Sequence, residues 1–128
     1  MIREFLEKLC TELSIAIPIP NEKKMFSLRF GPAEILLFDL RPGVSMSGEI
    51  GACPIGQKED IYMYLMRANL LGQGTGGARI GLDANEKNLT LSLGLPYEMN
   101  YKAFKEAFEE FLNHLIYWQG ELVKLGQK

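Results

Sequence analysis

Between Tyr101 and Leu125 the residues Tyr101, Phe104, Phe108, Phe111, Leu115, Trp118, Leu122 and Leu125 step by three and four without interruption. Only a helix puts all of them on one side, and at about 1.5 Å per residue it runs roughly 37 Å. A rod of that length spans a small domain and needs a broad apolar surface to lie on. Leu112, Ile116 and Val123 widen its arc, so the demand on the rest of the chain is larger still. With 128 residues, the chain has room for one core, read here as a single domain over 1–128.

The preceding segments supply strands and two more helices. Ile2, Phe5, Leu6, Leu9, Cys10 and Leu13 recur at helical spacing, with Arg3, Glu4, Glu7, Lys8 and Glu12 on the other side. Pro18 and Pro20 remove amide donors, which makes Ile15 to Lys24 a crossover loop. From Met25 the period becomes two: Phe26, Leu28 and Phe30 alternate with Ser27 and Arg29. After Gly31-Pro32 the stretch Glu34 to Leu40 is apolar on both faces, Ile35 and Leu37 against Leu36, Phe38 and Leu40. Such a strand is either central and covered twice, or it leaves apolar surface for a partner. Pro42-Gly43 turns the chain into Val44 to Ala52, a strand with one wet face.

Gln57 to Leu71 returns to helix, with Gly72 as its cap. Ile61, Tyr62, Met63, Tyr64, Leu65, Met66, Ala68, Leu70 and Leu71 leave almost no polar stripe, so this central helix needs cover on opposite sides. Self-association into a twofold dimer is the commonest solution. Ala78 to Asp83 and Leu89 to Leu93 then alternate cleanly as a hairpin. The order is helix, three-strand antiparallel meander, helix, β-hairpin, long C-terminal helix: an α+β fold (α-β-β-β-α-β-β-α), homodimeric.

Charge and chemistry exclude several functions. The net charge of −2 offers no basic field for nucleic acid. Apolar runs such as Ile35 to Phe38 are far shorter than the roughly 20 residues that span a bilayer. Glu4, Glu7, Lys8 and Glu12 interrupt any signal-like stretch, so a cytoplasmic location is expected, with Cys10 and Cys53 as reduced thiols. Gly72-Gln73-Gly74-Thr75-Gly76-Gly77 spells G-x-G-x-x-G, the letters of a dinucleotide loop. That loop has to follow a strand and open a helix, whereas here a helix precedes and a strand follows, so a flexible connection is the simpler reading. His114 lacks a Ser, Asp or Cys partner at a recognisable spacing. Glu106, Glu109 and Glu110 lie on the polar side of the last helix, and Asp39 and Asp83 sit at strand ends. No catalytic residues, no cofactor site and no metal site are expected, and the chain is not read as an enzyme. What stands out is surplus apolar surface.

Leu65-Met66-Arg67-Ala68-Asn69, Gly76-Gly77, Ile80-Gly81-Leu82-Asp83, Leu89-Thr90-Leu91-Ser92-Leu93 and Pro96, closed by Phe108, Phe111, Leu112 and Trp118, together resemble a class I type III secretion chaperone of the Tir chaperone kind. The likeness runs from about Ile61 to Leu122; the first half matches in element order and size. It implies a cytoplasmic bacterial homodimer that binds the N-terminal segment of a secreted effector in extended form. It also leaves room for the secretion ATPase as a further partner. Dimer contacts are implied at Ile61, Tyr64, Leu65, Ala68, Ile80 and Leu82, and effector contacts at Phe5, Leu9, Phe26, Leu28, Leu36 and Phe38. Many relatives are more acidic than −2, so bulk charge is a weak selector of cargo here. Two other readings compete: an adaptor of the same fold that binds a folded partner, and a small nucleotide-binding enzyme using the glycine loop.

Overall fold

The computed structural model describes residues 2–52, 78–82 and 88–126. The first helix, α1 (Ile2–Leu13), buries Ile2, Phe5, Leu6, Leu9 and Cys10 and turns its charged residues to water. It ends where Ser14 enters the left-handed region at φ 57°. There Ser14 N donates to Thr11 O (3.3 Å) and Ile15 N to Cys10 O (3.0 Å), the two bonds that close a helix C-terminus around a residue usually glycine. Ser14→Gly is therefore expected to raise stability by about 1 kcal/mol, read as a higher urea midpoint at unchanged slope.

Five strands follow: β1 (Phe26–Phe30), β2 (Ala33–Asp39), β3 (Val44–Ala52), β4 (Arg79–Leu82) and β5 (Asn88–Leu95). All neighbours are antiparallel, in the order β1-β2-β3-β5-β4. The meander and the hairpin thus form as the alternation predicts. Period-two patterning says nothing about strand order, and the placement of β5 between β3 and β4 is new information. The central helix expected over Gln57 to Leu71, the glycine segment, Cys53 and Asp83 lie outside the described residues.

The last helix, α2 (Tyr101–Gly126), has 26 residues, a length of about 39 Å. Asn100 caps it, its Oδ1 accepting from Ala103 N at 2.8 Å and its carbonyl accepting from Phe104 N at 3.1 Å. Phe104, Phe108, Phe111, Leu115 and Trp118 enter one core with the α1 stripe and the inner sheet residues Ile35, Leu37, Val44, Met46, Ile80, Leu89 and Leu91. Rings connect the layers: Phe5 stacks on Phe104 at 5.1 Å, Phe104 on Phe108 at 6.2 Å, and Phe108 meets Phe30 edge-on at 5.9 Å. The helix can lie so close because Gly48 of β3 has no side chain; a Cβ there would stand 2.6 Å from Leu115 Cδ2 and 3.1 Å from the Glu34 carbonyl. Not all of the predicted arc is covered, since Ile116 is 47% exposed and Val123 60%.

Polar contacts fasten the helices where greasy surfaces would slide. Gln119 Nε2 donates to the Pro32 carbonyl (3.2 Å) and to the Glu49 carbonyl (3.0 Å), joining α2 to the β1–β2 turn and to β3. Lys105 Nζ meets Glu12 Oε2 at 2.7 Å and ties α2 to α1. The hydrogen bond to Lys105 holds the Glu12 carboxyl below its ordinary range, and the same bond raises Lys105. A carboxyl lowered on folding stabilises above its unfolded pKa and loses that contribution as pH falls through the folded value. Urea midpoints of Glu12→Gln should accordingly depend less on pH below about 5 than those of the wild type.

Candidate binding surface

The alternation that makes the strands also decides which side chains a partner can touch. On β2, Ile35 and Leu37 point into the core with Phe26, Leu28 and Phe30 of β1, because directly opposed residues share a face. Leu36 and Phe38 therefore point outward. Leu36 stands between Ser27 and Ser47, and Phe38 opposite Ser45. Phe38 is 38% exposed and Leu36 half-buried, an apolar island on a face otherwise built from Ser27, Arg29, Glu34, Ser45, Ser47 and Glu49.

The six residues implied as effector contacts are thus divided. Phe5, Leu9, Phe26 and Leu28 fill the core beneath the sheet, so none of them is offered to a partner in this structure. The physical reason is that their stripes on α1 and β1 are the inner faces of those elements. Leu36 and Phe38 remain available. Among the dimer positions, Ile61, Tyr64, Leu65 and Ala68 lie outside the described residues. Ile80 is 7% exposed and faces the core opposite Leu91, while Leu82 ends β4 opposite Leu89 in the outermost strand.

Two grooves border this face. The larger, about 870 Å³, runs from Leu36, Ser47 and Thr90 to the exposed Ile116 and Val123 of α2. The smaller, about 600 Å³, lies between the start of α1 and the ends of β1 and β2, where Phe38 is exposed and the buried Ile2 and Phe26 stand behind it. Next to it the crossover loop exposes Ile15, Ile17 and Ile19. Beyond β1 the sheet stops; among the described residues β1 pairs only with β2, which leaves a strand edge able to accept another strand. The sequence left open which face of β2 is exposed, placed Ile116 and Val123 on the apolar arc of the last helix without marking them as surface, and gave no sign of the basic rim of the smaller groove.

Chemistry beyond contact is thinly represented. His114 is half-buried and 3.8 Å from Glu110, one turn away on the same helix. Burial raises the Cys10 thiol, which disfavours the reactive thiolate. Among the described residues no three His, Cys, Asp or Glu side chains gather as a metal site would require, and no helix is long and apolar enough to cross a membrane.

The Tir chaperone protein (CesT) family model matches residues 4–119, from α1 well into α2. This chain belongs to that family. A Chlamydia pneumoniae protein, CPj0713/CpB0740, is 30% identical over 80 residues, 62% of this chain; the aligned part is 61% of the relative's length. Solved structures share the family fold at low identity. A chain of the ExsC-ExsE complex superposes with TM-score 0.71 at 17% identity, covering 94% of this chain and 92% of its own. A chain of the HopA1-SchA chaperone-effector complex gives 0.71 at 14%, covering 93% of each. A chain of the heterodimeric ExoU-SpcU complex from the type III secretion system of Pseudomonas aeruginosa gives 0.70 at 18%, covering 98% and 97%.

Proposed function

We propose that this chain is a type III secretion chaperone, one domain over residues 1–128, that binds the N-terminal segment of a secreted effector in extended form and keeps it soluble and ready for export. The observation that carries the reading is the family match combined with the outward Leu36 and Phe38 beside the unpaired edge of β1. Similar folds in the HopA1-SchA and ExoU-SpcU structures are seen in complexes described as chaperone-effector and as part of a type III secretion system. An extended client would add backbone bonds along β1 and set apolar side chains over β2, the mode in which edge pairing supplies affinity and pockets supply selection. A segment that orders on binding loses conformational entropy, so several anchors along a path are needed.

In this reading the protein is cytoplasmic, is no enzyme, and works as a homodimer joined through the central helix, at Ile61, Tyr64, Leu65 and Ala68, and through the β4 side at Ile80 and Leu82. Ile80 is already packed inward, so its part in the dimer is through the strand rather than its side chain. The test is co-expression with candidate secreted proteins from neighbouring genes, followed by size exclusion with light scattering. Two copies of this chain carrying one client, whose N-terminal segment alone is shielded from protease, is the expected result. A monomer that leaves the client insoluble, or that retains it only when the client's folded part is present, overturns it.

A further inference from the structure

We propose that the smaller groove selects client segments in which a bulky apolar side chain is flanked by carboxylates; this rests on the chaperone reading and specifies the chemistry of the client. The groove presents the exposed ring of Phe38, with the buried Ile2 and Phe26 behind it. Its rim carries Arg3, Lys24 and Arg41 against one carboxylate, Asp39, which is already engaged: Oδ1 accepts from Arg41 N at 3.0 Å and Oδ2 stands 4.0 Å from Arg41 Nε. Among the described residues no carboxylate lies within ion-pair distance of Arg3 or Lys24. The groove thus carries three cations against one carboxylate in a chain of net charge −2.

Backbone geometry supports the same conclusion independently. Lys24 and Arg41 both sit in the left-handed region, at φ 61° and 48°, where glycine or asparagine is at ease. Two turns from different parts of the chain thus hold long cationic side chains at strained positions and bring both to one groove, the pattern expected when strain is kept for a binding role. The first residues of α1 line the groove as well, so the positive end of that helix adds to the field. An apolar side chain can settle on Phe38 while acids beside it meet Arg3 and Lys24, with Arg41 shared with Asp39. Neighbouring lysines or arginines on the client would be repelled.

Two short fluorescein-labelled peptides, identical but for Glu or Lys flanking a central Leu, test this against the full-length chain. At low salt the Glu peptide should bind about tenfold more tightly, and the gap should close near 0.5 M salt. Its amide shift changes in the ¹⁵N-labelled protein should centre on Arg3, Phe38 and Arg41. The variant Arg3→Gln with Lys24→Asn and Arg41→Asn suits the left-handed backbone, so it should fold at least as well and lose the discrimination. Equal binding of the peptides, no binding of either, or discrimination that survives in this variant overturns the inference. If the wild type nevertheless co-elutes with its client, the chaperone reading stands without it; if no client co-elutes, that reading falls as well.

Discussion

Phe38→Asp combined with Leu36→Asp is expected to weaken client binding by about a hundredfold or more while the chain stays folded and keeps its self-association. Fully burying one large apolar side chain contributes about 1.5–3 kcal/mol, and two anchors removed together approach the cost of losing a small group of interface hot spots. A carboxylate left at the same place adds a desolvation penalty when the client covers it. The fold should tolerate the change because both side chains point away from the core, opposite serines on the neighbouring strands. Titration of a labelled N-terminal client peptide gives the affinity, and circular dichroism with light scattering checks fold and mass. Wild-type affinity in a folded double variant would remove the outer face of β2 from the binding surface.

A second large effect belongs to the core. Phe104 is fully buried, stacked between Phe5 of α1 and Phe108 one turn along its own helix. Phe104→Ala should cost about 3–5 kcal/mol, since it deletes a large side chain and leaves a cavity that a helix pinned at both ends cannot collapse around. For a domain whose total stability is on the order of 5–15 kcal/mol, that is enough to populate unfolded chain. Urea unfolding should show the midpoint falling sharply at nearly constant slope. Ile116→Ala, at a site 47% exposed in this chain, should change the stability by about 0.5 kcal/mol or less, so the pair of measurements separates burial from hydrophobicity.

Much of this architecture is legible in residue order because two periods are written into it cleanly. Spacing of three and four over Tyr101 to Trp118 determines α2, and alternation over Phe26 to Phe30 and Val44 to Ile50 determines β1 and β3 together with the face each buries. Period alone could not tell which side of β2 stays outside, because both of its sides are apolar. The structure resolves this through pairing, which sets Ile35 and Leu37 over the helices and leaves Leu36 and Phe38 to solvent. The implied contacts at Phe5, Leu9, Phe26 and Leu28 are buried within this chain for a related reason: apolar identity marks a residue for burial without saying whether its own chain or another provides the cover. The Gln119 clasp and the convergence of Lys24 with Arg41 depend on residues far apart in sequence, where no local pattern can announce them.

Strand order sets a ruler for the proposed assembly. β1 and β4 are separated by four interstrand spacings, roughly 19 Å at about 4.8 Å each. In a twofold pair joined on the β4 side, the two outer rails stand at opposite extremities, some 40 Å apart at least by the same spacing. An extended polypeptide advances at most about 3.3–3.6 Å per residue, so a tether touching both rails needs a dozen or more residues between its two footholds. Clients trimmed below that span should hold one rail only and forfeit the avidity of the second.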